Sequence, residues 1–172
     1  MVQNLLLEPD LKPRDLKTAL SLYSTAITNL NFPYAPLAAF LQANPKAPYY
    51  FNSKSIHNLL RLLIDQLPST LTILGDLTAS PLFQESVLVE MGLYDRLKQV
   101  LPSLDTHQLK LTIWLVQNSI ADCSICQTEF TSYHSTLFTT LVSKLNYNDK
   151  HMVTEMMYLF ENYIDCAQSG FR

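Results

Sequence analysis

Cys123 and Cys126 stand in the run "CSIC". That spacing is half of a structural zinc site, which needs four ligands. It is also the spacing of a thiol–disulfide couple where a strand leads into it and a helix follows. Only Cys166 remains among the thiols, with His107, His134 and His151 as further nitrogen donors. A helix end rather than a strand is expected before Cys123. The pair therefore reads as small, buried, nearly apolar side chains beside a turn. The histidines add no acid–base pair. His57 borders an apolar stripe, and His107 and His151 fall in first helical turns, where the helix dipole disfavours imidazolium. His134 has hydroxyls beside it in "YHST", but the sequence brings it no acid. The chain contains no G-x-S-x-G, H-E-x-x-H or Walker run. No catalytic residue, metal or cofactor is expected, and the protein is not expected to be an enzyme.

The run "LTIWLVQNSIAD" offers binding chemistry instead. It holds the single Trp of the chain, Trp114, with Asn118 four residues on. Positions i and i+4 share one helix face. An Asn amide offers a donor and an acceptor to a peptide group. An indole face holds a cation and its methylene stem. "MYLFENYIDCA" repeats the spacing with Tyr158 and Asn162. Two readings of Trp114 stay open: one wall of a partner groove, or a core side chain with Asn118 bracing a neighbouring helix.

Such pairs need helices to hold them, and the apolar spacing predicts helices nearly throughout. In the first, Leu16, Leu20, Tyr23, Ile27 and Leu30 line one side until "NFPY" breaks it. A short helix is expected over Pro36–Ala43, then a loop in "NPKAPYYFN" that presents Tyr49, Tyr50 and Phe51. Ser53–Leu67 carries a wide apolar stripe. "STLTILGDLTA" follows, with Ser69 as candidate cap. Pro81 suits the first turn of "PLFQESVLVEM", and Gly92 suits a left-handed cap at its end. "LYDRLKQVL" ends at Pro102. Asp105 or Thr106 caps a long helix to Ala121, and a brief turn of helix covers Ser124–Phe130. "YHSTLFTTLVSKL" and Lys150–Ala167 complete the set.

The order repeats. Asn29, Asp76, Asn118 and Asn162, each late in a long helix, are separated by 47, 42 and 44 residues. That period matches repeats of two or three helices, which bury their apolar sides only by stacking. A plain helical bundle is the competing arrangement. The repeats would span 14–67 (the weakest), 68–121 and 122–167, within one domain over 1–172.

Particular runs resemble the armadillo-repeat family. "SVLVEMGLYDRLKQVL" looks like its first and second helices with glycine between, and "LTIWLVQNSIAD" resembles its third helix, W-x-x-x-N-[IL]. "LTILGDLTAS" is similar, with Thr72 and Asp76 in the Trp and Asn places, and "STAITNLN" sets Thr25 before Asn29. The resemblance implies an all-α, armadillo/HEAT-like solenoid of three to four repeats. In importin alpha-like adaptors the third helices line a groove that holds an extended basic peptide. By that likeness Trp114, Asn118, Tyr158, Asn162, Asp76 and Asn29 are the expected partner-binding residues.

Bulk numbers bound the rest. A hydrophobic content of 48% against 16% charged residues is not a disordered composition. The 12 Lys and Arg are scattered under a net charge of -3, so nucleic acid is not an expected partner. No apolar run approaches the roughly 20 residues that span a bilayer, so no membrane association is expected. No basic flank marks "MVQNLLLEPD" as a leader. With an odd number of cysteines, a cytoplasmic or nuclear location is expected. The expected function is a non-catalytic adaptor or scaffold that binds a protein or extended peptide on its third-helix face. The alternative is a structural subunit of a large assembly, held by low-charge outer surfaces. "TEMMYLFENY" adds the expectation of docking or self-association through the C-terminal helix.

Overall fold

The computed structural model describes residues 11–26, 34–121 and 123–169. Among them the chain is all-α, with eleven α-helices, two 3-10 turns and no strand. We number them α1 (Pro13–Ala26), α2 (Tyr34–Ala43), α3 (Ala47–Phe51), α4 (His57–Asp65), α5 (Leu71–Thr78), α6 (Ser86–Glu90), α7 (Leu93–Val100), α8 (Thr106–Ala121), α9 (Ser124–Tyr133), α10 (Ser135–Ser143) and α11 (Lys150–Ser169). The 3-10 turns are Lys54–Ile56 and Leu101–Ser103.

Helical spacing fixes what each helix buries. In α1, Leu16, Ala19, Leu20 and Tyr23 are buried, and the helix packs on α3, α4 and the first 3-10 turn. Leu59, Leu60, Leu63 and Ile64 bury a wide side of α4. The most extensive helix contacts are those of α8, with α11 on one hand and α5 on the other. These three form a row with α8 in the middle. Leu109, Thr112, Ile113, Leu115, Val116, Ser119 and Ile120 are buried along one side of it, and the other side is only partly covered. Behind the row, α9 touches α8 and α11, while α7 reaches α4 and α10. A buried 2.8 Å hydrogen bond between the Tyr94 and Ser119 hydroxyls joins α7 to α8.

Close approach of α5 and α8 depends on one glycine. A Cβ built at Gly75 would overlap the six-membered ring of Trp114. The absent side chain is the seat of the indole.

Local signals account for most boundaries. Asp105 Oδ1 accepts from the Gln108 backbone N–H at 2.8 Å, and Gln108 Oε1 accepts from the Asp105 N–H at 3.1 Å. This reciprocal pair starts α8. Asp149 Oδ1 accepts from Met152 N–H at 3.1 Å and starts α11. Gly92, at φ 84°, turns the chain from α6 into α7 in the left-handed region, as its position predicts.

Other expectations fail for identifiable reasons. "NPKAPYYFN" is not a loop throughout: Ala47–Phe51 is helical, with Pro48 in the first turn, where its missing N–H costs nothing. Phe51 is buried there, so only Tyr49 of the three aromatics is largely exposed. Pro81 opens no helix. The segment before Ser86 is held by Asn52, whose Nδ2 donates to Leu82 O at 3.0 Å and whose Oδ1 accepts from Gln84 N–H at 2.9 Å. Ser69 does not cap α5. Thr70 precedes it, and its hydroxyl donates to the Leu63 carbonyl instead. The expected turn after Ser124 is the ten-residue α9. Cys123 and Cys126 are not simply buried thiols but are joined as a disulfide, and the Cys123 sulfur also accepts from Cys126 N–H at 3.2 Å.

Gly75→Ala is expected to destabilise the fold by about 1–3 kcal/mol through overpacking. Trp114→Leu in the same chain should recover part of that loss. Denaturant midpoints for the two single variants and the double would measure the coupling.

Candidate functional site

The row α5–α8–α11 carries the residues expected to bind a partner, so the site is built from it. On α8, His107, Leu111, Trp114 and Asn118 recur at intervals of four, three and four and form one stripe. Trp114 is half-buried, with its ring over Gly75. A cavity of about 420 Å³ lies between α8 and α11, lined by His107, Lys110, Leu111, Trp114, His151 and Glu155. Its polar lining is of mixed charge. His151 Nδ1 stands 4.0 Å from Glu155 Oε1. Lys110 pairs with Asp149 and, with the Met152 N–H, holds that carboxyl below its usual range.

One turn along the stripe, the Asn118 Nδ2 is buried and has no hydrogen-bond partner. The neighbouring Gln117 Oε1 is in the same condition. Asn162 behaves differently: its Nδ2 donates to the Gln117 carbonyl at 3.4 Å and braces α11 against α8. Of these two Asn residues, one is used between helices and the other leaves a donor unspent. Buried amide donors are rarely left that way.

The remaining expected residues lie apart. Asp76 lines a cavity of about 300 Å³ with Leu41, Pro45, Pro48 and Leu77, where α2 meets α5. Its Oδ2 is buried without a partner, and burial pushes the carboxyl above its ordinary value. Tyr158 is exposed and belongs to a cavity of about 500 Å³ on α11, beside Thr154, Met157 and Glu161. Trp114 and Asn118 thus share a stripe, while Trp114, Tyr158 and Asp76 line three different cavities. Asn29 lies outside the described residues.

Sequence reasoning missed a polar junction at His134. The imidazole is buried, with Nδ1 3.7 Å from Asp95 Oδ1 on α7 and Nε2 3.7 Å from Glu129 Oε1 on α9. The Tyr94 ring lies 5.3 Å away, centre to centre. Desolvation, followed by nearby Lys98, lowers the imidazole pKa, and the two carboxylates oppose that shift. With a carboxylate opposite each nitrogen, the arrangement is a joint between helices and presents neither nitrogen to a substrate. Asp95 is 39 positions away in sequence, so no local spacing could have announced it.

Compared with known proteins, the chain matches no family model, no curated protein and no solved structure.

Two titrations follow from these environments. The Asp76 carboxyl has a raised folded pKa, so its penalty is absent below the ordinary value of 3.8 and complete above the folded value. Asp76→Asn is therefore expected to raise the thermal midpoint at pH 7 and to change little at pH 3. His134 has a lowered folded pKa, so the unfolded chain takes up the proton first. Its stability contribution is whole above the ordinary value of 6.5 and is lost as pH falls from there toward the folded value. Urea midpoints at pH 7.5 and 5.5 should diverge less in His134→Gln than in the wild type.

Proposed function

We propose that the chain is a non-catalytic protein-interaction module, built as an armadillo-like stack of helical repeats. It grips an extended peptide or a partner segment along the exposed face of α5, α8 and α11. The observation that carries this reading is the unspent Asn118 amide on the Trp114 stripe, one turn from a cavity between two of the row's helices. A buried donor without a partner costs about 1–3 kcal/mol. Turned outward to the stripe's surface, the Asn118 amide would meet a backbone carbonyl of a bound peptide, and the half-buried indole beside it would hold the methylenes of the next side chain. The cavity lining, with His107, Lys110, His151 and Glu155 around Leu111 and Trp114, offers polar groups of both signs beside an apolar floor. Support for the repeat architecture comes from the packing of α5, α8 and α11 side by side, at the period that separates Asp76, Asn118 and Asn162.

A second reading, a structural subunit of a larger assembly, draws on a separate observation. Met157, Tyr158 and Phe160 are 67%, 51% and 50% exposed on one helix. Large apolar side chains grouped on a surface mark contact sites.

Asn118→Ala separates a binding role from a bracing one. A bracing residue destabilises the fold when truncated. A ligand-facing residue leaves stability unchanged or raises it, and weakens binding. Peptides selected from a random displayed library on the wild-type chain should bind Asn118→Ala about tenfold more weakly, while the thermal midpoint does not fall. A lower midpoint with unchanged peptide affinity would sink the groove reading.

A further inference from the structure

Helix α11 buries only one side. Met152, Met156 and Leu159 enter the core. The opposite side is a stripe of Lys150, Thr154, Met157, Tyr158, Glu161 and Asp165 at helical spacing, every member exposed. Its centre is apolar and its ends are charged with opposite sign. The 500 Å³ cavity opens along it. Phe160 closes one flank, where its ring stacks on Phe138 of α10 at 5.9 Å. A polar outer face is what a helical stack needs where no further helix covers it, and the centre of this one is apolar.

We infer that this stripe docks against the same stripe of a second copy, antiparallel, about a two-fold axis between Met157 and Tyr158. In such an isologous contact each residue faces the one equally far from the axis on the other copy. Lys150 then lies across from Asp165 and Thr154 from Glu161, while Met157 and Tyr158, on opposite edges of the stripe, each meet their own counterpart beside the axis. Both ends gain a cation–carboxylate pair, the middle buries Met157 on Met157 and Tyr158 on Tyr158, and no carboxylate meets another. Parallel docking in register would set Glu161 on Glu161 and Asp165 on Asp165. The charge order of the helix therefore selects one orientation as well as one occupant. The row α5–α8–α11 would continue across the axis into the partner's row.

Molar mass in solution tests this, by sedimentation equilibrium over a wide concentration series, with helix content checked by circular dichroism. The wild-type chain is expected to be a dimer. Tyr158→Glu should be monomeric, because it sets two new carboxylates beside the axis. Lys150→Glu and Asp165→Lys should each weaken the dimer about tenfold by opposing like charges at both ends. The two reversals combined restore opposite charges and should restore the dimer. A wild-type chain that stays monomeric overturns the inference. So does a dimer untouched by Tyr158→Glu, or a combined variant no tighter than the single reversals. Molar mass reads this contact and peptide affinity reads the groove, so either can fail while the other stands.

Discussion

The indole of Trp114 lying on Gly75 sets the distance at which α5 and α8 meet. Helix α8 is the middle member of the row and the main partner of α11. An error in the α5–α8 distance is passed through α8 to every helix behind it. Close-packed interiors transmit such a displacement. The same contact explains why Trp114 is only half-buried. One face of the ring is committed to the neighbouring helix, and what remains lines a cavity. A ring packed on one helix and lining a cavity with its remainder does both from a single position.

The helical class was legible because period and punctuation agree along most of the chain. Asp105 with Gln108, and Gly92 at the end of α6, announce their own geometry through local chemistry. Where the sequence misled, a distant partner decided. The Pro81 segment has good first-turn chemistry but is held by Asn52, 30 positions upstream. Ser69 was the expected cap of α5, but Thr70 stands directly before the helix and its hydroxyl donates to the Leu63 carbonyl. Phe51 was drawn into a helix because its ring could be buried.

Legibility of the site was uneven for the same reason. The spacing of Trp114 and Asn118 is a property of one helix, so their shared stripe could be read. Whether Asn162 braces or binds depends on what α8 sets against it, namely the Gln117 carbonyl. The junction of His134, Asp95 and Glu129 draws on α7, α9 and the joint between α9 and α10, and has no sequence signature at all. Exposure of Met157 and Tyr158 depended on which side of α11 the core claimed, and an apolar-rich helix conceals that choice until its neighbours are in place.

Asn52 makes a different point. One side-chain amide bridges Leu82 O and Gln84 N–H and stands in for a strand of backbone pairing between two loops. Its two atoms have opposite polarity, and both are used. Hydrolysis of that amide to a carboxylate, the ordinary slow chemistry of asparagine, would keep the bond to Gln84 and turn the bond to Leu82 into a repulsion between two acceptors. The junction thus carries its own clock, and the ageing of a single nitrogen is enough to loosen one side of it.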